Sequence, residues 1–142
     1  MKKSKWFLVL MAIFLIGGVL FLTACVGGRI HTNFTGSNNN VSSNLTADGW
    51  SYSADSVNGN ITARNLTFTS DNLASLHVES SSLSSGDATL ILIQGSNERE
   101  VDISDGFSGY IDTSGFEPGE RDSIRIRLRF NNARGVNINI SW

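Results

Sequence analysis

Apolar residues along this chain follow two patterns. From Trp6 to Leu22 they run almost unbroken, with no charged residue in the stretch. From Trp50 onward they recur at every second position in short runs parted by Gly, Ser, Asn and Asp, the period of half-buried β-strands. Trp50, Tyr52 and Ala54 alternate with Ser51 and Ser53. Asn58-Gly59 is a hairpin signal, because a type I′ turn needs positive φ at both central residues, and Asn60 to Ala63 would be the return strand. Leu66 and Phe68 have the opposite parity to Ile61 and Ala63, which predicts a bulge or kink near Arg64-Asn65. Leu76-His77-Val78 gives the next strand, and Ser80 to Gly86 a serine-rich turn. Ala88 to Ile93, continuously apolar apart from Thr89, is expected to be a central strand.

Further along, Val101 and Ile103 alternate with Glu98, Glu100 and Asp102 around them, Phe107 to Ile111 is a short strand, and Pro118-Gly119 marks a turn. Ile124, Ile126, Leu128 and Phe130 face one way and Arg125, Arg127 and Arg129 the other. Asn131 to Gly135 is expected to close a loop before Val136 to Trp142 alternates again. About seven or eight short strands without an amphipathic helix predict an all-β fold, a single antiparallel β-sandwich of Ig-like or jelly-roll topology over residues 48–142. Residues 25–47 are rich in Gly, Ser, Asn and Thr without a period. That composition cannot bury enough surface to offset its ordering entropy, so a flexible linker is expected there, with His31 as a solvated residue within it.

The N-terminus has a basic head at Lys2, Lys3 and Lys5, then the apolar run, then Leu22-Thr23-Ala24-Cys25. Head, body and small residues before a break are the layout of a secretory signal peptide, here residues 1–24 in helical form, and the lysines stay on the cytoplasmic side. The four closing residues resemble the lipobox of bacterial lipoproteins. That resemblance covers the first 25 residues only. It implies cleavage between Ala24 and Cys25, a diacylglyceryl group on the Cys25 sulfur, and a chain held by lipid at the outer face of the cell membrane. Two acyl chains anchor stably where one binds marginally. The rival is an uncleaved membrane helix.

Charge narrows the partners. Removing the three head lysines from the 11 basic residues leaves eight arginines against 13 acids, a net charge of −5. An acidic exported chain lacks the basic patch of a nucleic-acid binder. Cys25 is the single cysteine, so stability must come from a hydrophobic core and not from disulfides.

Three constellations offer chemistry. Arg125, Arg127 and Arg129 would make a cationic face for an anionic polymer or headgroup; alternatively they lie across from Glu98, Glu100 and Asp102 on a neighbouring strand and pair with them. Trp50, Tyr52 and Tyr110 would form an aromatic platform for sugar rings, unless the alternation places them in the core. Asp102, Asp105, Glu117, Glu120 and Asp122 crowd two turns, but their spacing matches no calcium loop, so no metal and no cofactor is expected. His77 is the one histidine beyond the linker, and there is no Gly-x-Ser-x-Gly elbow, no Cys/His set and no phosphate loop. These residues lead to a non-catalytic surface module whose ligand is an envelope polymer, glycan or protein. A structural accessory subunit of an envelope complex and a small hydrolase with an unsignalled site are the alternatives.

Overall fold

The computed structural model describes residues 30–119 and 123–142. The expected signal peptide, its cleavage point at Ala24 and the lipidated Cys25 lie outside these residues. In chain order the elements are β1 (His31–Asn39), β2 (Ser42–Leu45), β3 (Gly49–Arg64), α1 (Ser70–Ser75), β4 (His77–Ser82), β5 (Ser85–Gln94), β6 (Asn97–Asp102), β7 (Asp105–Tyr110) and β8 (Arg125–Ser141). All strand pairings are antiparallel and join one eight-stranded sheet. The fold is all-β, as the alternation predicts.

The spine is β3 against β8, paired from Gly49↔Ser141 to Ala63↔Ile126 with one register shift. Each long strand serves two neighbours on its other side. β2 pairs the first part of β3 and β1 its last part. β5 pairs the first part of β8 and β4 its end. β6 continues outward from β5, and β7 from β4. The first half-sheet is thus β1–β3–β8–β5–β6, and the second is β2–β3–β8–β4–β7.

These halves fold onto one another. Tyr52 and Phe130 stack with ring centroids 5.4 Å apart, yet Phe130 is paired with Gly59, seven residues further along β3. A straight strand would separate those positions by about 23 Å. The spine must therefore bend sharply between them, and both strands carry the devices for it. β3 shifts register between Val57 and Gly59, where Gly59 takes φ +125°. In β8 the buried set passes from Ile126, Leu128 and Phe130 through Ala133 to Val136, Ile138 and Ile140, changing parity twice beside Asn132 (φ +49°) and Gly135 (φ +67°). Strands that bend through bulges and continue in the facing layer are the corner device of orthogonal β packing. The two layers of this sandwich are halves of one sheet, and both contribute to one core in which Val78, Leu90, Leu92, Ile126 and Leu128 are fully buried.

Four expectations need correction. Asn58-Gly59 is not a hairpin turn, because β3 runs through it. Gly59 supplies positive φ for the bend and lets β1 cross closely, since a Cβ there would overlap the Thr35 carbonyl oxygen. Asn131 to Gly135 is likewise a bend within β8, not a loop. The stretch read as a linker contains β1 and β2 from His31 to Leu45, so the β fold includes residues 31–45 and does not begin at 48. Polar edge strands need little apolar content when their backbone groups are satisfied by a paired neighbour: β1 matches β3 over nine consecutive residues, and Phe34 and Leu45 pack against the core. Finally, Ser80 to Gly86 is not one turn, since β4 runs on to Ser82 and β5 starts at Ser85. Ser70–Ser75 adds a helical turn, because Thr69 and Asn72 make a reciprocal capping box that satisfies its first backbone N–H groups. The predicted kink at Arg64-Asn65 is present as the end of β3, with Asn65 at φ +59°.

Candidate functional site

The aromatic platform does not assemble. Trp50 and Tyr52 point inward and are 2 % and 1 % exposed. Trp50 Nε1 donates to Ser43 Oγ at 3.0 Å, and its ring meets Tyr52 edge-on at 6.3 Å. The Tyr52 hydroxyl finds no hydrogen-bond partner among the described residues, and desolvation pushes its pKa up to about 12. Both rings sit inward because they share parity with Ala54 on a strand buried on one face. Tyr110 alone of the three is exposed, at 71 %, on the outer side of β7.

The arginine stripe lies on the outer side of the first half-sheet, and the strand carrying the acids is not its neighbour. β5 lies between β8 and β6, so Arg127 and Glu100 flank Ile91 and Arg125 and Glu98 flank Ile93. Arg129 nonetheless reaches diagonally over β5 and holds Glu100 with two hydrogen bonds, 3.1 Å and 2.8 Å, which raises the arginine's pKa. Arg127 Nε donates to Thr62 Oγ1 at 3.4 Å. Ile91 and Ile93 point to this outer side, yet they are only 1 % and 2 % exposed. The face is thus a charged one with an apolar strip beneath it, and the Arg129–Glu100 ion pair bridges two strands across β5 instead of joining neighbours.

Several acidic side chains are engaged in the fold. Asp102 Oδ1 accepts from the Ser104 hydroxyl at 2.6 Å and the Ser104 N–H at 3.0 Å, which together hold its carboxyl below the usual carboxylate range. Asp112 is held down in the same way by Ser114, with Arg99 adding an ion pair at 2.7 Å. Asp87 accepts from Asn131 at the bend. Glu120 and Asp122 lie outside the described residues, and among those described no group of His, Cys, Asp and Glu is placed to hold a metal. Two shallow hollows, about 260 Å³ and 470 Å³, open at the bend on either side of Asn58. Their polar walls are partly tied to the fold, since Asn58 Oδ1 accepts from the Asn132 N–H and Asn131 donates to Asp87.

The outer side of the second half-sheet differs. Register places Asn44, Ser51, Asn139, Glu79 and Ser108 in one row across five strands. Ser42, Ser53 and Asn137 form the row beside it, and Ser141, His77 and Tyr110 the row on the other side. The His77 and Tyr110 rings meet edge to face at 5.0 Å. Sequence reasoning missed this surface because it followed the apolar members of each alternation. The polar members between Trp50, Tyr52 and Ala54, and between Val136, Ile138 and Ile140, carried the signal.

Comparison of the chain with family models, with curated proteins and with solved structures returns no match.

Proposed function

We propose that this chain is a lipid-anchored, non-catalytic binding module at the outer face of the cell membrane, taking an envelope polymer, glycan or protein as ligand. The observation that best supports this is how closely the fold follows the lipobox. Cys25 stands six residues before His31, the first residue of β1. Six residues span at most about 20 Å even when extended. A diacylglyceryl group on Cys25 would therefore hold a rigid, two-layered sheet close to the headgroups, with its outer faces turned to the envelope. A binding role accords with the engagement of Asp87, Asp102 and Asp112 in bonds that build the fold, which leaves those carboxylates committed to structure and not to acid–base work.

Metabolic labelling with a palmitate analogue tests the anchor: label is expected on the wild type and absent from Cys25→Ala. A native polypeptide that retains Met1 and carries an unmodified sulfur would end this reading. Sedimentation of the detergent-solubilised full chain with delipidated envelope material tests the binding role, and retention in the pellet is expected.

A specific feature also supports the accessory-subunit reading. The outer edge of β1, His31–Asn39, contains no Pro, Lys, Arg, Asp or Glu, the residues that usually guard an open strand. A partner strand could add there. Cross-linking from Asn38→Cys to one protein neighbour in intact cells would favour that role.

A further inference from the structure

The two outer faces of the sheet differ in charge and in how far their side chains are bonded to the fold. On the second half-sheet the rows built on Asn139, Asn137 and Ser141 contain one charge, Glu79. A surface with the usual quarter to third of charged residues would place about three there. Among the described residues, the side chains of Ser51, Ser53, Asn137, Asn139, Glu79 and Ser108 make no hydrogen bond to another protein group, whereas the arginine face and the bend are cross-bonded. This surface is about 19 Å across its five strands at the usual strand spacing. At its rim stands Tyr110, braced by His77.

We propose that this face is a binding surface for a neutral polysaccharide. The proposal rests on the reading of the chain as a binding module, but not on the lipid anchor. Each feature matches the chemistry of such a ligand. Asparagine amides and serine hydroxyls offer both donors and acceptors, as sugar hydroxyls require. Short side chains lose little rotamer freedom on being held, so a weak hydrogen bond to each is not cancelled by ordering entropy. An aromatic ring with a polar tip gives the C–H face of a sugar a place to stack while its hydroxyl stays wet. Competing ligands fit worse. An anionic polymer or headgroup would meet Glu79 and no arginine. A protein interface is normally centred on buried aromatic and arginine anchors, and this face has one tyrosine, at its edge.

The test uses the full chain in detergent, sedimented with chitin and with cellulose as neutral polymers and with an alginate gel as the anionic control. Retention is expected on at least one neutral polymer and not on alginate. Tyr110→Ala and the pair Asn137→Lys, Asn139→Lys are each expected to weaken retention by roughly tenfold, the scale of losing one anchoring contact. Tyr110→Phe should keep most of it, and Arg125→Ser with Arg129→Ser, on the opposite face, should leave it unchanged. Thermal melting of each variant confirms that the fold is intact. Retention on neither neutral polymer, equal retention by all variants, or loss confined to the arginine variants would each overturn the proposal. If delipidated envelope retains the protein while chitin and cellulose do not, the ligand class is wrong and the binding role stands. If palmitate labelling fails while chitin or cellulose retains the protein, the face stands and the anchor falls.

Discussion

At the scale of single residues, Tyr52 has the clearest thermodynamic consequence. Its ring is well placed, stacked on Phe130, but its hydroxyl lies in the core with no partner among the described residues. A buried polar group left without a hydrogen bond costs about 1–3 kcal/mol. Tyr52→Phe should therefore leave stability at neutral pH unchanged or raise it by about 1 kcal/mol, as measured by the urea midpoint. At high pH the contrast between the two chains grows. The neutral phenol is favoured in the folded state, with its pKa pushed up to about 12, while the unfolded chain ionises near 10. Stability is thus fully present below pH 10 and falls as pH rises from there through 12, by about 2–3 kcal/mol. The wild type should lose stability faster than Tyr52→Phe across that window, and parallel curves would disprove the account. Tyr52 and Tyr110 also define how far the site was legible. The inward parity of Tyr52 follows from its neighbours Trp50 and Ala54. The outward parity of Tyr110 follows from Phe107, three residues earlier and on the inner side, but only once Phe107 is known to face the core.

At the scale of elements, the bend in β3 is the feature on which the two-layer arrangement depends. Gly59 combines φ +125° with a backbone crossing so close that any Cβ would overlap Thr35, and Gly36 opposite it is in the same position against Asn58. Positive φ of this kind costs a residue with a Cβ about 1–3 kcal/mol before any overlap is counted. Gly59→Ala should lose about 3 kcal/mol or more of stability by urea unfolding. Gly95→Ala, in the β5–β6 turn at φ +58° with open space around it, should lose only about 1–2 kcal/mol. Equal losses would mean that the crossing at Gly59 is not tight. Local signals made the strands legible but not the bends. Asn-Gly in sequence is equally compatible with a hairpin and with a corner in a continuous strand, since both need positive φ. The choice is made by β8, more than 60 residues away, which pairs both sides of the corner at once. The same distance hid the strand order: alternation showed that Arg129 and Glu100 lie on outward faces, but not that β5 separates them.

At the scale of the whole molecule, the N-terminal segment decides whether the sheet is complete. Composition made residues 31–45 read as a tether, because only Phe34, Val41 and Leu45 are large and apolar and they follow no period. Edge strands evade that test: they add to a sheet through backbone hydrogen bonds, which every residue except proline offers. Without this segment β3 would be left as a bare edge from Gly49 to Arg64, and Trp50 Nε1 would lose Ser43, its acceptor. Exchanging that hydrogen bond for water costs about 0.5–1.5 kcal/mol, and exposing the core beneath Phe34 and Leu45 about 1.5–3 kcal/mol more. Against the 5–15 kcal/mol that holds a typical domain together, such losses are large. A chain lacking residues 31–45 should unfold at a clearly lower urea concentration than the chain that retains them. It should also self-associate in light scattering, because along the 16 residues of β3 every second residue would present an unpaired N–H and C=O to a second copy. A tether would behave otherwise: its removal would leave the urea midpoint and the monomeric state unaltered. That result would detach β1 and β2 from the fold and lengthen the path from Cys25 to the sheet by the whole of that segment.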